Sequence, residues 1–285
     1  MREEPTTPAL EGADLSIGYG EKIIASGLSI RIYPGDVASL LGPNGVGKST
    51  LIKTLTGELE AVEGIVYVFG KDVESYSRKE LSRLLAIVTT DSVLAGGLTV
   101  EELVGLGRQP HTGFFGRMGD DDRKATEEAM RRVGIIHKRE AYVAELSDGE
   151  RQKAMIAKAL AQETAIIVLD EPFSYLDVAA RIEILSLLKE IAAGGKAILF
   201  SSHDVSQALR MASKAILFTP SGELISGTPA RLIAERRLPL LFPRRNVVFS
   251  EEAKDFIAAE TGSELSSVKA CNVNECPVQP HTPDR

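Results

Sequence analysis

The eight residues Gly42-Pro43-Asn44-Gly45-Val46-Gly47-Lys48-Ser49 constrain this chain more than any other segment. They satisfy the pattern G-x-x-x-x-G-K-[ST], follow the apolar run Val37–Leu41 and open a helical pattern through Leu55. They therefore dictate a strand, a glycine-rich turn and a helix in succession. The glycines let consecutive backbone N–H groups point into one concave nest, and the helix N-terminus adds partial positive charge. Lys48 supplies a full charge for β- and γ-phosphates, and the Ser49 hydroxyl is read as a ligand for Mg²⁺. Gly42, Asn44, Gly45, Gly47 and Thr50 complete the cradle. Binding of a nucleoside triphosphate follows.

Apolar runs punctuated by glycine predict strands at Ala13–Tyr19, Ile23–Tyr33, Val37–Leu41 and Ile65–Phe69. From Ser92 to Val143 the spacing becomes helical, with Val100, Leu103, Val104 and Leu106 on one stripe and a mixed-charge helix at Asp120–Val133. Strand and helix then alternate through Ala165–Asp170, Ala179–Ile191, Lys196–Ser201, Val205–Met211 and Lys214–Thr219. Strands this continuously apolar belong in a parallel sheet covered on both faces by helices, which is an α/β core. Beyond Arg236 the pattern weakens. Leu238–Phe242 and Asn246–Ala259 are read as a short strand and a helix, and the polar, proline-punctuated Glu264–Arg285 as a mobile tail.

A length of 285 residues allows one large domain or two small ones. With 44% apolar and 26% charged residues the chain falls among ordinary globular proteins. Lys and Arg number 33 against 40 Asp and Glu, a net charge of −7, so nucleic acid is not expected as a partner. No apolar stretch is long enough to span a bilayer, and the N-terminus carries no secretory h-region. Cys271 and Cys276 fit a reducing compartment, and their spacing with His281 is too loose for a metal site.

Ile166-Ile167-Val168-Leu169-Asp170-Glu171 is an apolar strand delivering two carboxylates at its end, where open α/β sheets bind ligands. Asp170 is the candidate Mg²⁺ ligand, and Glu171 can polarise a water for in-line attack on a γ-phosphate.

Leu146-Ser147-Asp148-Gly149-Glu150-Arg151 precedes that strand. On residue chemistry alone, Ser147 with Glu150 three positions later is a capping box opening a helix at Glu150–Ala161. The segment also resembles the signature, ordinarily Leu-Ser-Gly-Gly-Gln, of the ATP-binding subunits of ABC transporters, and the resemblance covers about residues 8–235. It implies an α/β P-loop nucleotide-binding domain with an antiparallel β portion near the N-terminus and a helical subdomain at about residues 92–160. Residues 236–285 would then be a C-terminal extension. The resemblance places Tyr19 where a ring stacks on adenine, although an ordinary strand-end tyrosine reads the same. It likens Ser174-Tyr175-Leu176-Asp177 to the D-loop at a dimer interface, where Asp177 is equally a helix N-cap. It likens Ser202-His203-Asp204 to the switch segment, with His203 on the γ-phosphate. Ser147, Gly149 and Glu150 would act in trans on ATP held by a second copy, so the implied working unit is a homodimer.

Two positions depart from the family pattern. Thr90 stands where a glutamine normally senses Mg²⁺ and the membrane partner, so Thr90 or Asp91 is expected to reach the metal through water. Asp148 replaces a signature glycine and adds a negative charge near a phosphate site, unless it pairs with Arg151. Leu98–Val104, Gly107–Pro110 and Phe114–Arg117 resemble the helical domain of importers for iron-siderophore, haem or cobalamin. Phe114 and Phe115 are either core or part of the groove receiving a permease. The resemblance therefore implies an ATPase on the cytoplasmic face of the inner membrane, powering a separate permease and, indirectly, a solute-binding protein. The alternative is a soluble, non-transport ABC ATPase acting as a mechanical switch.

Overall fold

The computed structural model describes residues 7–89, 97–112, 117–174, 176–243, 247–250, 252 and 255–258. In chain order, β1 (Leu10–Tyr19) and β2 (Lys22–Ile32) lead to β3 (Val37–Leu41) and α1 (Lys48–Leu55). Then come β4 (Glu63–Val68), β5 (Lys71–Asp72), α2 (Arg78–Leu84) and β6 (Leu85–Val88). A helical stretch follows, α3 (Val100–Gly105), α4 (Asp120–Arg132) and α5 (Asp148–Ala161). The chain returns to alternation with β7 (Ile166–Leu169), α6 (Val178–Ala193), β8 (Ala197–Ser202), α7 (Val205–Met211) and β9 (Lys214–Phe218). It continues through β10 (Leu224–Gly227), α8 (Pro229–Ala234), β11 (Val247–Ser250) and β12 (Asp255–Ala258).

The described residues form three sheets. The antiparallel sheet near the N-terminus has the order β2-β1-β4-β5, and a six-stranded sheet has the order β10-β9-β3-β8-β7-β6. Within the latter, β9, β3, β8, β7 and β6 are mutually parallel, and only β10 runs the other way. Its strands are buried on both faces. In β3, Val37 and Leu41 pack with α3 to α7, whereas Ala38 and Leu40 pack with α1, β1, β2 and β4. Each fully buried Leu or Ile in these layers stabilises the fold by about 1.5–3 kcal/mol.

The register matters most for function. Leu41 lies beside Ser202, Leu169 beside Phe200 and Val88 beside Leu169. The carboxyl ends of β3, β8, β7 and β6 are therefore level, and the turns leaving them share one edge. Because β8 sits between β3 and β7, although it follows both in sequence, that edge is the strand-order switch where α/β sheets bind ligands.

Two sequence expectations fail at the C-terminal side. Leu238–Phe242 is not a strand but a 3₁₀ turn over Leu238–Leu241. Pro239 has no N–H for a ladder, and a three-residue repeat sends Leu238 and Leu241 into the core together. Asn246–Ala259 is not a helix: its described residues form the antiparallel hairpin of β11 and β12. Phe249 pairs with Phe256 across it, ring centroids 5.3 Å apart, and Phe242 stacks edge-on to Phe256 at 4.8 Å. That aromatic cluster outweighs the local helix preference of the intervening residues. The tail Glu264–Arg285, with Cys271, Cys276 and His281, lies outside the described residues.

Candidate functional site

The glycine-rich turn connects β3 to α1 and is shaped by its glycines. Gly42 faces the chain leaving β9, and a Cβ there would sit 2.6 Å from the Phe218 carbonyl oxygen. Gly45 and Gly47 take φ of +81° and +113°, the left-handed region that glycine enters without strain. Gly47 is also the N-cap of α1 and has no side chain to cap it, so the first-turn N–H groups face the turn. Lys48 follows immediately and is buried; its Nζ donates to the Gly42 carbonyl at 2.9 Å and the Pro43 carbonyl at 3.2 Å. Burial holds the Lys48 ammonium below the usual lysine range, and the charges of Glu171 and Asp170 partly restore it. Asn44, Gly45 and Ser49 are exposed on this turn, whereas Thr50 is buried.

At the end of β7, Asp170 is buried and Glu171 turns out of the strand with φ +46°. A left-handed residue other than glycine costs of order 1–3 kcal/mol, so neighbours must hold it. The Glu171 carboxylate is the meeting point. Its Oε2 lies 3.0 Å from Nδ1 of His203 and accepts from Ser174 Oγ at 3.3 Å, while its Oε1 lies 3.8 Å from Lys48 Nζ. Three strand ends thus deliver Lys48, Glu171 and His203 to one place, with Asp170 beside them. Glu171, Ser174, Arg181, Ser201, Ser202 and His203 line a cavity of about 40 Å³, room for one or two waters.

The signature segment forms its own cluster. Ser147 is the N-cap of α5, which starts two residues earlier than expected, at Asp148. The capping box is complete: Ser147 N and Oγ both donate to Glu150 Oε2 at 3.0 Å, and Glu150 N returns a bond to Ser147 Oγ. Those bonds, the Ser147 N–H first, hold the Glu150 carboxyl below its usual range, with help from Lys138 at 3.3 Å. Asp148 pairs with Arg151 at 3.1 Å, and Arg151 also donates to the Leu146 carbonyl. Among the described residues, no hydrogen bond or ion pair joins this cluster to the glycine-rich turn. Tyr19 ends β1 exposed, opposite Lys22 in the hairpin, and Asp177 caps α6 by accepting from Ala180 N at 2.7 Å. Thr90, Asp91, Phe114, Phe115 and Tyr175 lie outside the described residues.

Two side chains that sequence reading passes over stand at the centre of this geometry. Ser201 is fully buried; its hydroxyl donates to Asp170 Oδ1 at 2.6 Å and accepts from Glu171 N at 2.7 Å. Arg181 donates to the Leu176 carbonyl at 3.0 Å, to Asp204 at 3.3 Å and to Gln207, tying the segment before α6 to the cap of α7. The only signal in sequence is a polar residue ending the apolar run Ala197-Ile198-Leu199-Phe200.

Among the described residues no helix is long and apolar enough to cross a membrane. The sequence profile of the ABC transporter family matches residues 25–174. The ferric enterobactin transport ATP-binding protein FepC of Escherichia coli is 35% identical over 85% of this chain and 90% of its own length. The iron(3+)-hydroxamate import ATP-binding protein FhuC of Bacillus subtilis is 37% identical over 82% of this chain and 87% of its own. An inward-facing structure described as a metal-chelate type ABC transporter superposes with a TM-score of 0.72 at 26% identity, over 88% of this chain and 95% of that one. With a glycine cradle, a lysine and an acid pair on one sheet edge, and relatives matching over most of its length, this chain belongs to the ABC transporter family of ATP-binding proteins.

Proposed function

We propose that the chain is the ATP-hydrolysing subunit that powers import of a metal chelate through a separate membrane permease. One observation carries the catalytic part: the Glu171 carboxylate touches His203 and approaches Lys48 at the common edge of three parallel strands. In this reading the N–H groups of the glycine-rich turn, from Gly42, Asn44, Gly45 and Gly47 through Thr50, cradle the triphosphate, Lys48 leaves the two carbonyls for phosphate oxygens, and Tyr19 stacks on adenine. The Ser49 hydroxyl and the Asp170 carboxylate are hard oxygen donors that suit Mg²⁺, which supplies charge neutralisation on the phosphates. Glu171 orients the attacking water. His203 meets Glu171 through Nδ1 and turns Nε2 toward the γ-phosphate. Positioning and preorganised charge supply most of the acceleration.

The likeness to the family's signature and D-loop assigns Ser147, Gly149 and Glu150 to ATP held by a second copy, with Asp177 at the contact between copies. Two ATP molecules lie in that interface, and its closing and opening drive the permease from the cytoplasmic face of the inner membrane. A solute-binding protein delivers the cargo. The relatives named for ferric enterobactin and iron(3+)-hydroxamate support an iron chelate as that cargo.

The test is a pair of variants. Glu171→Gln keeps ATP binding, slows hydrolysis by about 10²–10⁴-fold and accumulates an ATP-bound dimer, read by light scattering. Lys48→Ala loses nucleotide affinity instead. Wild-type turnover in Glu171→Gln refutes the assignment. Membrane fractionation separates transport from a soluble switch: the subunit is expected on membranes only while its permease is expressed.

A further inference from the structure

We propose that Ser201 is a positioning residue for hydrolysis, through which β8 sets the directions of Asp170 and Glu171 together. The inference rests on the roles given above to those two carboxylates. The parallel register is its origin: Leu169 lies beside Phe200, so the next residue of each strand, Asp170 and Ser201, stand side by side. At that point β7 leaves the sheet. Asp170 N still donates to the Val88 carbonyl at 2.8 Å, but the following N–H belongs to Glu171, which the left-handed turn swings away from the ladder. Ser201 Oγ accepts that N–H at 2.7 Å and donates its own hydrogen bond to Asp170 Oδ1 at 2.6 Å.

A hydroxyl has one donor and spare lone pairs, so both bonds are made at once without conflict. Two consequences follow. One oxygen of Asp170 is fixed, which orients the other. The strained backbone of Glu171 is held at its amide, which aims the carboxylate at His203 and Lys48. Ser201 is wholly buried, so removing its hydroxyl takes a fixed partner from both groups, and a water drawn from the adjoining cavity is not held at the same point by the strand. Hydrogen bonds of this kind behind a metal-ligating carboxylate typically change activity or metal affinity by about 10–100-fold.

The experiment compares Ser201→Ala, Ser201→Cys and Ser201→Thr in the full-length chain. Ser201→Ala is expected to lower kcat about tenfold with the ATP KM within about twofold, and to raise the half-saturating Mg²⁺ concentration. Binding of a fluorescent ATP analogue in EDTA stays at the wild-type level. In nucleotide-free protein, amide exchange of the segment holding Glu171 accelerates, while exchange in α1 does not. Ser201→Thr keeps the hydroxyl and restores kcat, and Ser201→Cys, similar in size but a weak donor, does not. If Ser201→Ala fails to fold, the Thr and Cys pair decides, and equal rates in those two overturn the proposal.

Wild-type kcat and exchange in Ser201→Ala also overturn it. Glu171→Gln in the same assay separates the proposal from its foundation. A slow Glu171→Gln beside a fast Ser201→Ala removes only Ser201, whereas a fast Glu171→Gln removes the underlying roles and the proposal with them. In the double variant Ser201→Ala/Glu171→Gln the part of the Ser201 effect that runs through the Glu171 carboxylate is already gone, so the further slowing is expected to be smaller than the slowing Ser201→Ala causes alone.

Discussion

Arg108→Met tests what fastens the helical stretch to the sheet. The Arg108 side chain is only 7% exposed, and its guanidinium joins three elements. Nε donates to Asp122 in α4 at 3.0 Å, and Nη1 donates to the Ala161 carbonyl at the end of α5 and to Glu163 before β7, both at 2.6 Å. Methionine keeps the apolar stem and deletes the fork. Glu163 is 59% exposed and rehydrates, so its loss costs little. Asp122, at 15%, keeps the Gly119 N–H but loses its charge partner, and the Ala161 carbonyl loses a donor in a buried setting. These losses together come to about 3 kcal/mol, which for a chain of this size lowers Tm by roughly 6–10 °C. Differential scanning calorimetry measures it, with Arg108→Lys as a control that keeps charge but not the planar fork and recovers only part. ATP-analogue binding at the glycine-rich turn is unaffected at low temperature, because no bond of Arg108 reaches it. A Tm within about 2 °C of wild type refutes the reasoning and makes the buried fork a bystander.

Two further outcomes are expected. The Glu150 carboxyl has a folded pKa below its unfolded value, so its stabilisation is complete above about 4.5 and disappears as pH falls through the folded value. The Tm difference between wild type and Glu150→Ala accordingly holds from neutral pH down to about 4.5 and shrinks below it, and a difference that stays constant at lower pH contradicts the capping role. For the signature departure, Asp148 and Arg151 are an exposed pair worth under about 1 kcal/mol at rest, but an unpaired Asp148 repels an approaching triphosphate by a similar amount. Arg151→Gln in the Glu171→Gln background is expected to weaken ATP-driven dimerisation about fivefold, and adding Asp148→Gly restores it. Unchanged dimerisation in Arg151→Gln excludes an electrostatic role for the pair.

What could be read from sequence, and what could not, divides along sequence separation. The turn at Gly42–Ser49, the acid pair after Leu169 and the capping box at Ser147 are local patterns in which residue spacing fixes geometry within a few positions, and each has its expected conformation. After Arg236 the local signal is weak, and a tertiary aromatic cluster rather than residue pattern decides the outcome. Strand order is the larger gap. Nothing in the residues of β8 says that it inserts between β3 and β7, yet that insertion puts His203 against Glu171, 32 positions away, and Ser201 against Asp170, 31 positions away.

Strand order also explains why Ser201 and Arg181 escaped a motif reading. A motif names groups that would meet ligand, whereas these two meet only other protein groups, through a register and a helix start that exist once the chain has folded. Ser201 follows four apolar residues within β8, and a buried hydroxyl there is unfavourable unless both of its bonding capacities find partners. It finds them in the carboxylate of one site residue and the amide of the next. The sheet thus supplies more than a platform. By placing β8 centrally it converts three separate strand ends into one constellation in which Lys48, Asp170, Glu171 and His203 are mutually oriented.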